Sequence, residues 1–259
     1  MRTALGILIV GLLAGCAPRE SGELFEGSAG VEKDQGLAVE ALPDESAPLV
    51  VFLGDSLTAG YGLSEQEAFP QLLAERLAAG GTSIRLVNAG VSGDTSVGGQ
   101  RRLEWLLRQS PEVLVVELGA NDGLRGLPLE MTREALQALV AESLDGGALV
   151  LLLGMRVPPN YGPAYSREFE NIFSGVASDY GVPLVPFLLE GVGGVPALNQ
   201  ADGIHPTAEG HEILADNVYP YLARLLDELG TTRPPSLASP AVSPPPKAPP
   251  SPPDPNPSA

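Results

Sequence analysis

The amino-acid sequence predicts an α/β fold in which helices cover both faces of a parallel β-sheet, and three observations support this. Short β-branched or aliphatic runs alternate along the chain with segments of helical periodicity. The runs lack an apolar/polar alternation, which is typical of strands buried on both faces. Together these segments occupy about residues 48–230, a normal length for one domain.

Five segments have the length and composition of strands, and they lie at residues 48–53, 84–88, 113–118, 147–153 and 182–185. Helical patterns lie between them, at about residues 68–79, 98–109, 131–144 and 165–180, with a last helix at about residues 208–229. Ligands of open parallel sheets bind at the carboxyl ends of the strands. We therefore expect the functional residues just after the strands.

The first fifteen residues are typical of an export signal. Arg2 supplies the charged start, and the apolar stretch from Ala4 to Leu13 is too short for a permanent membrane-spanning helix. Cys16 follows small residues at the cleavage position, which resembles the lipobox of bacterial lipoproteins. We predict a signal peptide over residues 1–15, a lipid anchor on Cys16 and export to a membrane of the bacterial cell envelope. An ordinary signal peptide is the alternative.

Two further segments lack the pattern of a fold. Residues 16–47 are rich in Asp and Glu, and their scattered apolar residues predict an acidic, flexible tether. Residues 231–259 contain 12 prolines, which predicts an extended, disordered tail. The tail is either a spacer or a segment that binds a partner or the cell wall.

The composition excludes several classes of function. A net charge of −17 argues against a nucleic-acid partner, because phosphate binding requires Lys and Arg. The single cysteine cannot form an internal disulfide, and with only two histidines it cannot supply a Cys/His zinc site. From composition we therefore expect no nucleic-acid partner and no Cys/His zinc site.

Glycine-containing polar segments follow four of the predicted strands. They are Gly54-Asp55-Ser56-Leu57 after the first strand, residues 88–94 after the second, residues 119–123 after the third and residues 202–206 after the fifth. Each segment alone resembles an ordinary turn or helix cap. Their joint position at one edge of a sheet favours a catalytic site instead.

The residue types at this edge match the needs of acyl transfer. The Ser56 hydroxyl is a weak nucleophile until a base removes its proton. His211 is in phase with an apolar helical stripe, which predicts a packed side chain. His205 precedes that helix, and Asp202 can hold its Nδ1 proton so that Nε2 faces the serine. Donors for an oxyanion are available at Ser56 N, Gly93 N and the Asn121 amide.

In chain order, these segments resemble the four sequence blocks of the SGNH (GDSL) hydrolases. The resemblance covers the whole predicted domain and is greatest to the periplasmic thioesterase, lysophospholipase and arylesterase subgroup, on the strings at residues 54–61, 92–95, 117–126 and 159–162. It implies a three-layer α/β/α fold with a five-stranded sheet of flavodoxin-like order, and hydrolysis of acyl esters or thioesters. It also implies a catalytic triad of Ser56, Asp202 and His205, and an oxyanion hole of Ser56, Gly93 and Asn121. It implies no metal and no cofactor.

A proline-rich segment, residues 154–165, follows the fourth predicted strand and opens on the same edge as Ser56. The family resemblance implies that this segment helps to hold the acyl chain, with Val157, Pro159, Asn160 and Tyr161 as its substrate-binding residues. The alternative is a rigid connection that only packs on the core.

Two other functions stay open. Other members of the same superfamily are carbohydrate O-acetylesterases that use the same catalytic residues. A surface lipoprotein that keeps the fold but only binds its ligand is the second alternative. The complete set of predicted triad and oxyanion residues favours an enzyme, since a binding protein does not require all of them.

Overall fold

A computed structural model describes residues 45–232 of the 259-residue chain. The predicted signal peptide, Cys16, most of the acidic tether and nearly all of the proline-rich tail lie outside the described residues. Within them, the folded elements run from Leu49 to Thr232. No helix in this range combines the length and the apolar character needed to cross a membrane.

Five parallel strands form one sheet in the order β2-β1-β3-β4-β5, which confirms the predicted flavodoxin-like order. The strands are β1 (Leu49–Gly54), β2 (Arg85–Gly90), β3 (Val113–Glu117), β4 (Leu149–Leu153) and β5 (Leu184–Val185). Every residue of the central strands β1 and β3 is buried, which explains why their sequences do not alternate.

Seven α-helices flank the sheet within the described residues. They are α1 (Ser56–Ala59), α2 (Phe69–Ala79), α3 (Ser96–Leu107), α4 (Ala120–Leu124), α5 (Leu129–Asp145), α6 (Pro163–Tyr180) and α7 (Ala208–Thr232). Helix α2 packs against α7, and α5 packs between α3 and α6, which gives the predicted three layers. Phe52 of β1 and Phe69 of α2 meet edge to face at 5.8 Å and join one helical layer to the sheet.

Two differences from the predicted elements matter for the site. Helices α1 and α4 are absent from the predicted helical segments, because segments of four or five residues are too short to show helical periodicity. The sequence predicted that residues 202–206 directly follow the fifth strand, and this is wrong. Strand β5 ends at Val185, and a long connection precedes α7, so this segment reaches the edge as a surface loop.

Candidate active site

The site lies where the strand order reverses. Strand β1 pairs with β2 on one side and with β3 on the other, which opens a crevice at their carboxyl ends. Ser56 is the first residue of α1, directly after β1, and Asn121 is the second residue of α4, after β3. The two short helices therefore place both residues at the crevice.

A tight strand-to-helix turn presents Ser56. Asp55 caps α1, because its Oδ1 accepts a hydrogen bond from Leu57 N at 3.0 Å. Gly54 has no room for a side chain, since a Cβ there would lie 2.0 Å from Thr58 Oγ1. The glycine therefore allows α1 to fold back against the strand end, with Ser56 half-buried on the cavity wall.

The structure brings Ser56, His205 and Asp202 together in one hydrogen-bonded chain. Ser56 Oγ lies 2.9 Å from His205 Nε2, and His205 Nδ1 lies 2.6 Å from Asp202 Oδ2. An ionised Asp202 only accepts, so Nδ1 donates to it and Nε2 is left to accept the serine proton. The arrangement has the geometry needed to generate a serine nucleophile.

Asp202 is held ionised by its hydrogen bonds. The side chain of His205 lowers its pKa most, and the backbone N–H groups of His205 and Ile204 lower it further. These two N–H groups donate to Asp202 Oδ1 at 3.0 and 2.9 Å. The same turn therefore fixes the carboxylate and aims it at the imidazole.

Tyr61 and Gln200 contact His205 and hold its imidazole in place. No pattern in the sequence assigned either residue this role. The Tyr61 ring lies 4.5 Å from the His205 ring between centroids. Gln200 N donates to the His205 carbonyl at 2.7 Å, and its Nε2 donates to the Tyr61 carbonyl at 2.7 Å. Tyr61 does lie in the string at residues 54–61 that resembles the family, but only the fold shows that it faces His205.

The three predicted oxyanion donors occupy the ends of β1, β2 and β3. Asn121 lines the same cavity as Ser56, and its Nδ2 donates one hydrogen bond to Asp55 Oδ2 at 2.9 Å. Among residues 45–232, neither Ser56 N nor Gly93 N has an acceptor. Gly93 has a φ of 81°, and its carbonyl accepts from Arg125 Nη2 at 2.7 Å. It is not among the residues that line the cavity.

Arg102 of α3 fastens the Gly93 loop to the strand ends and was also missed by the sequence analysis. Its guanidinium pairs with Asp94 at 2.9 Å, and it donates to the Gly54 carbonyl at 2.9 Å and the Ala89 carbonyl at 2.5 Å. One half-buried side chain thus joins the ends of β1 and β2 to the loop that contains Gly93.

A cavity of about 660 Å³ opens beside Ser56. The apolar side chains on its wall come from α1, α4 and the loops after β4 and β5, and they include Leu57, Leu124, Met155, Val157, Pro158, Pro159, Phe187, Leu189 and Ile204. Its polar lining consists of Asp55, Ser56, Asn121 and His205, which contact one another in pairs, and of Arg156 and Asn199. Such a wall suits an acyl chain whose carbonyl lies beside Ser56.

The predicted substrate-binding residues divide into two groups. Val157 and Pro159 line the cavity, whereas Asn160 and Tyr161 do not. The Tyr161 hydroxyl donates to the Leu124 carbonyl at 2.6 Å, so its place is between the loop and α4. Asn160 is exposed to solvent.

The second histidine is separate from this chain of contacts. His211 of α7 is buried, and its Nδ1 accepts from Phe69 N at 3.1 Å. Burial lowers its pKa from 6.5 to about 4, so it is neutral at pH 7. Its position matches the packed side chain that the helical stripe predicted.

A model of the GDSL-like lipase/acylhydrolase family matches residues 52–213. Esterase TesA of Pseudomonas aeruginosa is 45% identical over 182 residues, which cover 70% of this chain and 90% of that protein. An arylesterase of Vibrio mimicus is 38% identical over 183 residues, covering 70% of this chain and 92% of that protein.

Thioesterase 1/protease 1/lysophospholipase L1 of Escherichia coli K12 is 41% identical over 172 residues, covering 66% of this chain and 81% of that protein. Among solved structures, a crystal structure of TesA matches with a TM-score of 0.67 and 45% identity, covering 68% of this chain and 99% of that one. The family match includes the positions of Ser56, Asn121, Asp202 and His205.

Proposed function

The chain belongs to the GDSL-like lipase/acylhydrolase family and is a serine esterase, and we propose that it cleaves esters or thioesters of medium or long acyl chains through an acyl-enzyme on Ser56. One observation supports this most strongly. The Ser56–His205–Asp202 hydrogen-bonded chain borders a largely apolar cavity, whose wall includes Ser56 and His205.

Acylation follows from the proposed roles. His205 Nε2 takes the Ser56 proton while Oγ attacks the carbonyl carbon, and the carbonyl oxygen becomes an oxyanion. Asn121 Nδ2 and the N–H groups of Ser56 and Gly93 donate to that oxyanion. When the tetrahedral intermediate collapses, the imidazolium returns its proton to the departing alcohol or thiol, and the acyl group stays on Oγ.

Deacylation uses the same groups with water. His205 removes a proton from water as it attacks the acyl carbon, and it then protonates Ser56 Oγ as the carboxylic acid leaves. Asp202 stays ionised throughout and stabilises the imidazolium. No metal or cofactor is required for these steps.

The cavity favours an acyl chain over the acetyl group of a carbohydrate O-acetylesterase. Its volume of about 660 Å³ is larger than a two-carbon acyl group fills, and its largely apolar wall suits a longer chain. The relative named thioesterase 1/protease 1/lysophospholipase L1 supports the same substrate class. The alternative of a protein that only binds its ligand is set aside by the family match and the esterase-named relatives.

A lipid anchor on Cys16 is the proposed means of localisation. The apolar segment followed by a cysteine supports an exported lipoprotein of the bacterial cell envelope. The tether of residues 16–47 would reach about 100 Å if fully extended. Mass spectrometry of the native protein tests this proposal, because an unmodified Cys16 or an intact residue 1–15 segment would contradict it.

The esterase proposal is tested with p-nitrophenyl esters from acetate to decanoate. We expect kcat/KM to rise with acyl length over several carbons and then to level off where the cavity ends, because each buried methylene contributes up to about 0.8 kcal/mol. Ser56→Ala should abolish turnover of every ester. A preference for acetate throughout the series would favour the carbohydrate O-acetylesterase.

A further inference from the structure

A second carboxyl group lies behind the nucleophile and has no role in the mechanism above. Glu117 is the last residue of β3 and is completely buried. Its Oε2 accepts hydrogen bonds from Asp55 N at 3.1 Å, Thr58 N at 3.2 Å and Thr58 Oγ1 at 2.8 Å. Glu117 therefore holds the chain on both sides of Ser56.

The second oxygen of the Glu117 carboxyl group, Oε1, is the place where a proton can be held. Oε1 is buried and accepts no hydrogen bond from any donor within residues 45–232. Asp55 is the acidic residue that adjoins Glu117, because its N–H donates to Glu117 Oε2 at 3.1 Å and the two carboxyl groups shift each other's pKa. Because Oε2 already accepts three hydrogen bonds, Oε1 is the atom available to hold a proton.

Two adjacent buried carboxyl groups cannot both be ionised without a cation. No ion pair of the described residues includes Asp55 or Glu117. Arg102, the cation at the same strand end, donates to the Gly54 carbonyl and pairs with Asp94. Burial raises the pKa of Glu117 well above its usual value, and the charge of Asp55 raises it further.

Burial raises the pKa of Asp55 as well, but hydrogen bonds with Leu57 N, Glu117 and Asn121 lower it, so Asp55 is the better placed of the two to carry the charge. Its Oδ1 accepts from Leu57 N at 3.0 Å and its Oδ2 from Asn121 Nδ2 at 2.9 Å. That second hydrogen bond fixes the orientation of the Asn121 amide, so that the remaining N–H of Nδ2 is free to meet the oxyanion. If Glu117 fixes the position of the Asp55 carboxyl group, it therefore also fixes the position of the Asn121 amide.

We propose that Glu117 is a positioning residue which, as a neutral carboxylic acid, donates its proton to Asp55 and so holds the Ser56 turn and the Asn121 amide in place. The inference rests on the proposed function, because it assumes that Asn121 stabilises the oxyanion. A neutral glutamine should replace Glu117 well, since it keeps the acceptor oxygen and its amide donates to Asp55. A leucine should not, because it leaves three donors without an acceptor.

The test compares Glu117→Gln with Glu117→Leu in the full chain. We expect Glu117→Gln to keep kcat within about threefold, whereas Glu117→Leu lowers kcat by roughly 10²–10³-fold with little change in KM, as loss of an oxyanion donor does. Infrared spectra at pH 7 should contain the carbonyl stretch of a buried protonated carboxylic acid, and this band should be absent from Glu117→Gln.

Two results would overturn the proposal: absence of that band from the wild type, or loss of kcat in Glu117→Gln as severe as in Glu117→Leu. If Glu117→Leu does not fold, the infrared band of the wild type and the kcat of Glu117→Gln still test the proposal. Failure of the proposed function looks different, because the wild type would then have no Ser56-dependent esterase activity.

Discussion

The two halves of the candidate active site are held in opposite ways. The nucleophile turn, residues 54–58, ends a buried strand, and its carboxyl partners Asp55 and Glu117 are at most 1% exposed. The histidine loop, residues 199–206, lies on the surface, where the Asp202 side chain is 39% exposed and that of His205 is 19% exposed.

The sources of order differ accordingly. The nucleophile turn is held by hydrogen bonds to Glu117 of β3 and to Arg102 of α3. These bonds join segments that are distant along the chain, so they form only in the complete fold. Most bonds of the histidine loop are short-range. They include the turn around Asp202 and a bridge between Asn199 and Pro206. Substitutions in the loop should therefore separate activity from stability, whereas substitutions around the turn should affect both.

The largest effect is expected from His205→Ala. We predict that kcat falls by roughly 10⁴-fold or more, because the base is lost, while the melting temperature barely changes, because His205 lies on a surface loop. His211→Ala is the matched control and should show the reverse, with lower stability and nearly unchanged kcat. Steady-state kinetics and thermal melts measure both, and a folded but inactive His211→Ala would show that the base is misassigned.

Removal of Asn121 tests the buried half. Asn121→Ala should lower kcat by roughly 10²–10³-fold with little change in KM, if its amide has the proposed role of donating to the oxyanion rather than to the bound ester. Asn217→Ala is the control, since Asn217 does not line the cavity and its Nδ2 donates to the Leu188 and Glu190 carbonyls. A similar kcat for both variants would exclude Asn121 from the oxyanion hole.

Acid should lower the stability of the fold through the buried His211 of α7. The pKa of His211 is lowered by burial from 6.5 to about 4, so between these values the unfolded chain binds a proton that the folded chain does not. The stabilisation by neutral His211 is complete above pH 6.5 and is lost as the pH falls toward 4, by about 3 kcal/mol in all.

Urea denaturation at several pH values measures that loss. His211→Asn keeps a possible acceptor for Phe69 N but has no proton to gain, so its free energy of unfolding should depend less on pH in this interval. An identical pH dependence in both proteins would show that His211 is not the group responsible.

The smallest effects concern acyl length. Val157→Ala should reduce the gain in kcat/KM from acetate to decanoate esters by about 1 kcal/mol, because Val157 lines the cavity. Tyr161→Phe should leave that gain unchanged, since it removes only the hydrogen bond to the Leu124 carbonyl. A flattened length profile in Tyr161→Phe, or an unchanged one in Val157→Ala, would reverse the two assignments.

Much of this arrangement could be predicted from the sequence because its signals are local. The five strands show as short aliphatic runs, and Asp202 and His205 are three residues apart in a glycine-containing loop. Ser56 and Asn121 follow strands, and parallel strands bring such positions to one edge whatever their separation along the chain.

What the sequence could not predict depends on distant contacts. Arg102, Gln200 and Glu117 act through hydrogen bonds to segments far along the chain, and no periodic pattern encodes such pairs. Glu117 did give one signal, because a carboxylate at the end of the apolar run Val113–Val116 is unusual in a buried strand. Tyr161 was predicted to bind the substrate, but its hydroxyl donates to the Leu124 carbonyl of α4 and it does not line the cavity.

The central claim is that Ser56, activated by His205, is the nucleophile of this esterase. Labelling with a p-nitrophenyl alkylphosphonate followed by peptide mapping tests it most directly. We predict one equivalent of phosphonate on Ser56, with loss of activity in proportion, no label on Ser56→Ala and much slower labelling of His205→Ala. Phosphonate on another residue would contradict the account, and so would a Ser56→Ala variant that keeps its esterase activity.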